Sequence, residues 1–439
     1  MKKQNLLFCV LFALICVLPL VGLLILGPSA AGSNEVLANA PQLIRKNGGL
    51  NMDYLSDLSD YVRDRFGFRQ ELITANAKVT AAVFGESATD KVILGADGWL
   101  YYADTLADFE GSAPMSDRQI WNAAHTLALM EEYAESKGAS FVFASAPNKN
   151  TIYPNFMPYE QTKQPSNLER LHLALDAEGV TYCDLLSVLS QAEEPVYYKT
   201  DSHWDGYGSA LAHDALMRNL GKETALSEEP FVETLHRGDL TDMLYPASND
   251  MEMGLSLQRE RLFSYEGTVR GPDDMVIRTV SEGENGSLLM FRDSFGNTLH
   301  LDLAERFSQA CFSRAMPYDL SMLEADTLIV EIVERNLVDL ATKAPLMEAP
   351  VRELELPTEA ISVKAAVETG KCKLDGCVEY TGFIEGEVDW NSPIYVSLDG
   401  TVYEATPAGK TENSFTLYAP EAERVQVLYY LDGRLVLAE

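Results

Sequence analysis

Apolar positions recur along this chain with two periods. Over residues 54–83 and 117–137 the spacing is helical, and the second run stops at Gly138, a residue suited to a helix C-terminus. Residues 92–102 read as a hairpin turning at Asp97-Gly98. Short apolar runs at 140–146, 180–185, 287–291, 309–312 and 327–332 then alternate with helical stretches at 167–177, 207–220 and 297–307. Such alternation predicts an α/β domain over residues 91–345, a mostly parallel sheet flanked by helices. Residues 223–280 break the rhythm with polar, Met-rich sequence and read as an insertion. Beyond Pro345 the helical period is lost, and strands alternate with turn signals at Asp375-Gly376, Asp399-Gly400 and Asp432-Gly433. A small all-β domain is expected over residues 355–439, built as a sandwich.

The first residues bear on compartment. Leu6 to Leu26 carry no charge and are long enough to span a bilayer, and Lys2 and Lys3 ahead of them favour a cytoplasmic N-terminus. Small residues at Ser29-Ala30-Ala31-Gly32 and Ala38-Asn39-Ala40 also suit a signal peptidase. Residues 1–32 are therefore expected to be an uncleaved membrane anchor or a cleaved signal peptide, residues 33–90 a stalk and helical region, and the remainder extracytoplasmic. An oxidising compartment makes a disulfide between Cys372 and Cys377 geometrically plausible across their four-residue turn, with two free thiols as the alternative. Cys183 and Cys311 lie in strand-like runs and read as core. A net charge of −32, from 66 acidic against 34 basic residues, excludes general nucleic-acid binding. With 46% hydrophobic and 23% charged residues the chain is not a disordered one.

Two loops carry candidate chemistry. Leu288 to Phe291 ends in Arg292-Asp293-Ser294-Phe295-Gly296-Asn297, the pattern of a buried strand delivering a serine onto a strand-to-helix turn. Serine needs a base at neutral pH, and histidine suits that task. Asp201-Ser202-His203-Trp204 lies between the strand-like Tyr197 to Thr200 and a helix opening near Asp205. Asp201 and His203 share a face of an extended segment, so the carboxylate can orient the imidazole for Ser294. The competing reading makes Asp201 a helix cap and His203 a packed loop residue. Position favours the catalytic one, because loops at the carboxyl ends of parallel strands gather in one crevice.

Other candidates are ancillary. Asn148, after the 140–146 strand, is a candidate oxyanion donor or a turn residue, and Lys149 a candidate ligand for a carboxylate or phosphate. Arg292 can bind an acidic sugar or pair with Asp293; pairing is the expectation. Trp204 and Tyr198 offer a stacking platform for a sugar ring or belong to the core. A metal site is the competitor for Asp201 and His203, but His125, His172, His213, His236 and His300 form no H-x-x-x-H or H-x-H cluster, so no metal is expected, and the absence of a phosphate loop or dinucleotide fingerprint gives no cofactor.

Tyr198-Lys199-Thr200-Asp201-Ser202-His203-Trp204, Arg292-Asp293-Ser294-Phe295 and residues 326–335 resemble the SGNH-hydrolase-like proteins of the alginate O-acetyltransferase type and the related bacterial DHHW-motif proteins. Asp64 to Arg69 and Gly95 to Tyr101 resemble that family's N-terminal region. The resemblance covers roughly residues 40–341 and omits the β domain. Ser202 and Arg292 depart from the family pattern beside the catalytic positions. The resemblance implies an SGNH-like fold and a cell-envelope O-acetyltransferase that moves an acetyl group to a polysaccharide hydroxyl. Ser294 would be the nucleophile, His203 the base and Asp201 its orienter. It also implies a cell-surface polysaccharide and a multispanning membrane acyltransferase as partners. A secreted carbohydrate esterase and a non-catalytic polysaccharide-binding or assembly protein are the alternatives.

Overall fold

The computed structural model describes residues 3–27, 37–45, 48–283, 285–357, 360–361 and 363–438. A seven-stranded sheet forms its centre. In chain order the strands are β1 (Ser140–Ala146), β2 (Tyr182–Cys183), β3 (Phe263–Tyr265), β4 (Val276–Ser281), β5 (Ser287–Phe291), β6 (Gln309–Ser313) and β7 (Thr327–Val333). In space they run β2-β1-β7-β5-β6-β4-β3. The first five in that order are parallel to one another, and β4 and β3 add antiparallel at one edge. Residues read as an insertion thus supply an edge of the sheet. The weak apolar signal there follows from one-sided burial: Ile277 and Thr279 of β4 are buried while Val276 and Arg278 are exposed.

Period-two alternation in β5 feeds two cores. Leu289 and Phe291 join one cluster with Phe143, Val330 and the apolar face of helix α1 (Asp117–Ser136), while Leu288 and Met290 join the other. Helix α2 (Asn167–Glu178) covers the first face; α3 (Gly206–Asn219) and α4 (Gly296–Arg306) cover the second. Both α1 and α2 open with a reciprocal capping box, Ser116 with Gln119 and Ser166 with Glu169, which fixes where each helix begins. The 54–83 stretch forms two helices, Tyr54–Arg65 and Arg69–Phe84, because Phe68 between them takes a left-handed conformation.

The C-terminal strands form one nine-stranded sheet curled into a half-barrel, where a sandwich of two sheets was expected. Strand Thr401–Pro407 pairs with Ile394–Leu398 and, at Thr406 and Pro407, with Ser414–Ala419, so the two halves are continuous. Tyr380, Val396, Phe415 and Tyr429 fill the concave side. Cys372 and Cys377 are free thiols: Cys372 Sγ lies 3.4 Å from the Cys377 carbonyl oxygen, turned to the backbone of its own turn. The half-barrel rests on α1. Arg118 Nη1 donates to the carbonyls of Asp389, Trp390 and Ser392, and His125 lies between Glu178 and Glu404.

Lys3–Leu26 is helical, with Leu6, Phe8, Phe12 and Leu24 exposed, and among the described residues no helix is long and apolar enough to cross a membrane. The small residues at 29–32 fall outside the described residues.

Candidate active site

Strand β5 is buried to its last residue, so the chain leaves the sheet at Arg292 and turns into α4 at Gly296. Asp293 builds the turn. Its carboxylate accepts from Phe295 N at 2.9 Å and from Val333 N at 2.7 Å, tying the Ser294 loop to the end of β7. The Asp293 N–H donates to Glu331 Oε2 at 3.1 Å, and burial beside Asp293 pushes the Glu331 carboxyl well above its usual range. Ser294 is left projecting at the carboxyl end of the parallel strands.

The second loop meets it there. His203 Nε2 lies 2.8 Å from Ser294 Oγ, and His203 Nδ1 lies 2.7 Å from Asp201 Oδ1. Asp205 caps α3 by accepting from Gly208 N, so the capping role that competed for Asp201 is taken by its neighbour. Burial raises the pKa of Asp201, yet hydrogen bonds from His203 and His236 outweigh it and hold the carboxyl far below its ordinary range. Burial likewise opposes a proton on His203, but Asp201 and Asp239 raise its pKa above the usual imidazole value. The pair therefore favours a protonated imidazole beside an ionised Asp201.

The Asp201 loop is gripped from beneath and from the side. Lys149 is buried, and its Nζ donates to the carbonyls of Tyr198 (3.2 Å), Lys199 (2.9 Å) and Asp201 (2.6 Å) beneath the rings of Trp99 and Tyr101. It is therefore a brace for the loop, where an anion ligand was considered. Burial pushes its pKa down to about 7 against the pull of Asp201, Asp239 and Glu252. From the side comes a hairpin of Val232–His236 and Glu252–Ser256. Glu252 accepts from Lys199 N and Thr200 N, and Gly254 lets the Tyr198 ring approach so closely that a Cβ there would sit 2.0 Å from it.

The remaining candidates take other places. Trp204 is 1% exposed and packs edge-on against Phe295, so it supports the Ser294 turn and offers no platform to a sugar. Tyr198 stacks on His236, ring centroids 3.9 Å apart. Arg292 is buried; its guanidinium donates to Asn297 Oδ1, the Pro272 carbonyl and the Asp293 carbonyl, with no carboxylate pairing to Asp293. Asn148 is buried at the same sheet edge, its N–H bonded to Glu334, and both side-chain amide atoms lack a hydrogen-bond partner.

Ser294 and His203 open onto a cleft of about 640 Å³ that Tyr102, Met243, Asn297, Arg314 and Arg335 also line. The Arg335 guanidinium lies over the rings of Tyr102 and Phe295 at 5.3 and 5.6 Å. Asp201, His203 and Asp239 bring candidate ligand atoms within 4.8 Å of one another. Those atoms are committed already: His203 Nδ1 and Asp201 Oδ1 face each other, Asp201 Oδ2 accepts from His236 and Asp239 N, and Asp239 accepts from Ser202. A metal would have to displace these bonds, so the donor set fits a hydrogen-bonded array better than a coordination sphere.

His236, Asp239 and Arg335 had no assigned role in the sequence. His236 and Asp239 lie in the stretch read as an insertion, at no ligand or triad spacing; Arg335 stood only within a quoted motif.

Residues 92–275 match the family model described as SGNH hydrolase-like domain, acetyltransferase AlgX. The resemblance seen in the sequence is borne out. The match takes in Asp201, His203 and His236 and ends before Ser294. A "Probable alginate O-acetylase AlgJ" of Pseudomonas syringae pv. tomato is 30% identical over 170 residues, which is 35% of this chain and 41% of that protein. The chain thus matches less than half the length of that relative. Among solved structures, the O-acetyltransferase domain of Pseudomonas putida AlgJ shares 18% identity at a TM-score of 0.36, over 56% of this chain and 92% of that one. A DHHW family protein from Eubacterium siraeum shares 14% at a TM-score of 0.39, over 56% and 95%.

Proposed function

We propose that this chain is an O-acetyltransferase that passes an acetyl group to a polysaccharide hydroxyl through an acyl-enzyme on Ser294. The observation that carries the reading is the continuous hydrogen-bonded line from Asp201 through His203 to Ser294 Oγ, opening into a cleft. The alginate O-acetylase name of the relative supports the group transferred. In the first half-reaction Ser294 Oγ attacks the acetyl carbonyl carbon while His203 Nε2 takes the hydroxyl proton. The tetrahedral intermediate collapses by breaking the bond to the donor's oxygen, which leaves with that proton. In the second, a sugar hydroxyl gives its proton to His203 as its oxygen attacks the acyl carbon, and Ser294 is released as the hydroxyl. Phe295 N–H is engaged by Asp293, so we assign the oxyanion to Ser294 N–H and the unpartnered Asn148 amide.

The acceptor in this reading is a cell-surface polymer, a multispanning membrane acyltransferase supplies the acetyl group, and the N-terminal helix anchors the chain at the envelope. Lys2 and Lys3 ahead of an uncharged stretch support that placement.

The test mixes the purified protein with an activated acetyl ester and follows ester cleavage and intact mass for wild type, Ser294→Ala and His203→Ala. A wild-type acetyl adduct absent from Ser294→Ala, and discharged by glycan fragments faster than by water, is the expected result. Three indistinguishable, unlabelled proteins would end the catalytic reading and leave glycan binding in its place. An adduct discharged equally with and without glycan would make the chain an esterase.

A further inference from the structure

We propose that His236 is a positioning residue of this site, acting through Asp201; the inference rests on the acyl-transfer reading above. Two imidazoles share one carboxylate. Asp201 Oδ1 accepts from His203 Nδ1 at 2.7 Å and His203 N at 2.9 Å, while Oδ2 accepts from His236 Nε2 at 2.8 Å and Asp239 N at 3.0 Å. Four donors, two on each oxygen, fix the plane of the carboxylate as well as its position. A carboxylate held only at Oδ1 could turn about its Cβ–Cγ bond and present either oxygen to His203. One held at both oxygens keeps the imidazole in a single orientation, with Nε2 aimed at Ser294.

His236 is itself built in. It ends strand Val232–His236, its ring stacks on Tyr198 at 3.9 Å and 19°, and its side chain is 33% exposed, so its other ring nitrogen is not needed to hold it. The charged and titratable groups around it are Asp201 from the loop, Asp239 from the helix that follows, Glu252 from the paired strand and the Tyr198 phenol; Arg237 beside it turns away to Asp242. All three carboxylates favour an N–H pointing toward them, so Nε2 is the donor in either protonation state of the ring.

The neighbouring Asp239 closes the array. Its carboxylate takes Ser202 N and Oγ, at 2.7 and 2.6 Å, while its own N–H serves Asp201. The loop and the hairpin therefore exchange bonds on both sides of the catalytic pair, and His236 is the side chain through which the hairpin reaches the acid.

The experiment compares wild type, His236→Ala and His236→Gln in full-length protein, using the activated acetyl ester as acyl donor. Loss of one charge-assisted hydrogen bond to Asp201 should lower kcat of the alanine variant between tenfold and roughly a hundredfold. KM should stay within about twofold, since His236 does not line the cleft. Glutamine, whose amide N–H can reach Oδ2, should recover part of the loss although it cannot titrate. Independently of turnover, proton NMR in a Ser294→Ala background should show the deshielded His203 Nδ1–H signal in wild type and His236→Gln, and its loss or upfield shift in His236→Ala. Wild-type kcat in His236→Ala, or an NMR signal unchanged by that substitution, overturns the proposal. If no variant turns over ester, the acyl-transfer reading fails by itself and the NMR comparison still decides whether His236 orders the Asp201–His203 pair.

Discussion

Replacing Lys149 by methionine removes a buried ammonium while keeping most of its volume. Its Nζ serves three carbonyls, those of Tyr198, Lys199 and Asp201. An ammonium has three N–H donors and a neutral amine two, so three acceptors favour the charged form against the burial that pulls the pKa down to about 7. Hydrogen bonds to a charged group contribute about 1.5–3 kcal/mol each, or roughly 4–9 kcal/mol for three. Against this stands the desolvation of the ammonium, several kcal/mol, which methionine does not incur. The balance is a destabilisation of about 2–4 kcal/mol, and for a domain of this size a fall in Tm of about 5–12 °C. Activity should suffer more than stability, because the loop that loses its brace carries both Asp201 and His203, and displacement by about 1 Å at a reacting group costs on the order of a hundredfold in rate. Thermal unfolding by circular dichroism and ester turnover measured on the same preparation give both quantities. A Lys149→Met protein within about 1 °C of wild type and equally active would refute the argument, since the carbonyls of Tyr198 and Asp201, left without the lysine while that of Lys199 keeps the Leu100 N–H, would then carry no consequence.

Two further outcomes follow from residues outside the cleft. Trp204→Ala should cost about 3–5 kcal/mol of stability with KM for glycan fragments unchanged, whereas a stacking platform would show the reverse pattern in unfolding and saturation curves. His125 has a carboxylate on each ring nitrogen, 2.8 Å to Glu178 and 2.9 Å to Glu404; burial opposes its charge, but the two acids raise its pKa above the usual 6.5. Its contribution is therefore complete below about pH 6.5 and lost as pH rises through the higher folded value, so the gap in Tm between wild type and His125→Gln should narrow as pH rises above about 6.5. A gap independent of pH would show that the imidazole is uncharged in the folded protein.

How much of this was legible in the sequence depended on whether each partner was local. The parallel strands could be read because strands buried on both faces are continuous apolar runs, as in Ser287–Phe291 and Thr327–Val333. Ser294 could be named because it sits in the loop directly after strand Ser287–Phe291; Asp201 and His203 were named by the same logic, although the strand-like Tyr197 to Thr200 forms only an isolated bridge at Tyr197. The edge strands Phe263–Tyr265 and Val276–Ser281 were not legible, since one exposed face dilutes their apolar pattern to that of a polar insertion. Lys149 was read as a ligand for an anion because a lysine after a strand gives no sign of its acceptors. Backbone carbonyls leave no residue-type signature, and three of them came from a loop some 50 residues away. The choice at Cys372 and Cys377 was open for a related reason: their spacing permits either a bond or two free thiols, and the direction of the side chains, not legible in the sequence, separates the two.

The stretch read as an insertion is the part of the chain that turns two motifs into one site. Asp201 and His203 lie on a loop outside any regular strand, closed by an isolated bridge from Tyr197 to Trp204. Such a loop would have low local stability if left to itself. Glu252 takes two of its N–H groups, His236 and the Asp239 N–H take the far oxygen of Asp201, and at Gly238 a Cβ would sit 2.0 Å from the Thr200 carbonyl oxygen. Lys149 takes three of the loop's carbonyls from the opposite side. The hairpin segment thus takes N–H groups of the loop and holds the Asp201 carboxylate, while the lysine takes three of its backbone carbonyls, so neither support can substitute for the other. A chain keeping Asp201, His203 and Ser294 but lacking the hairpin would retain the residue types of a triad without the means to hold them within hydrogen-bond reach. Hence the spacing of Asp201 and His203 is a weaker guide to an active site than the presence of a segment that engages both oxygens of the acid.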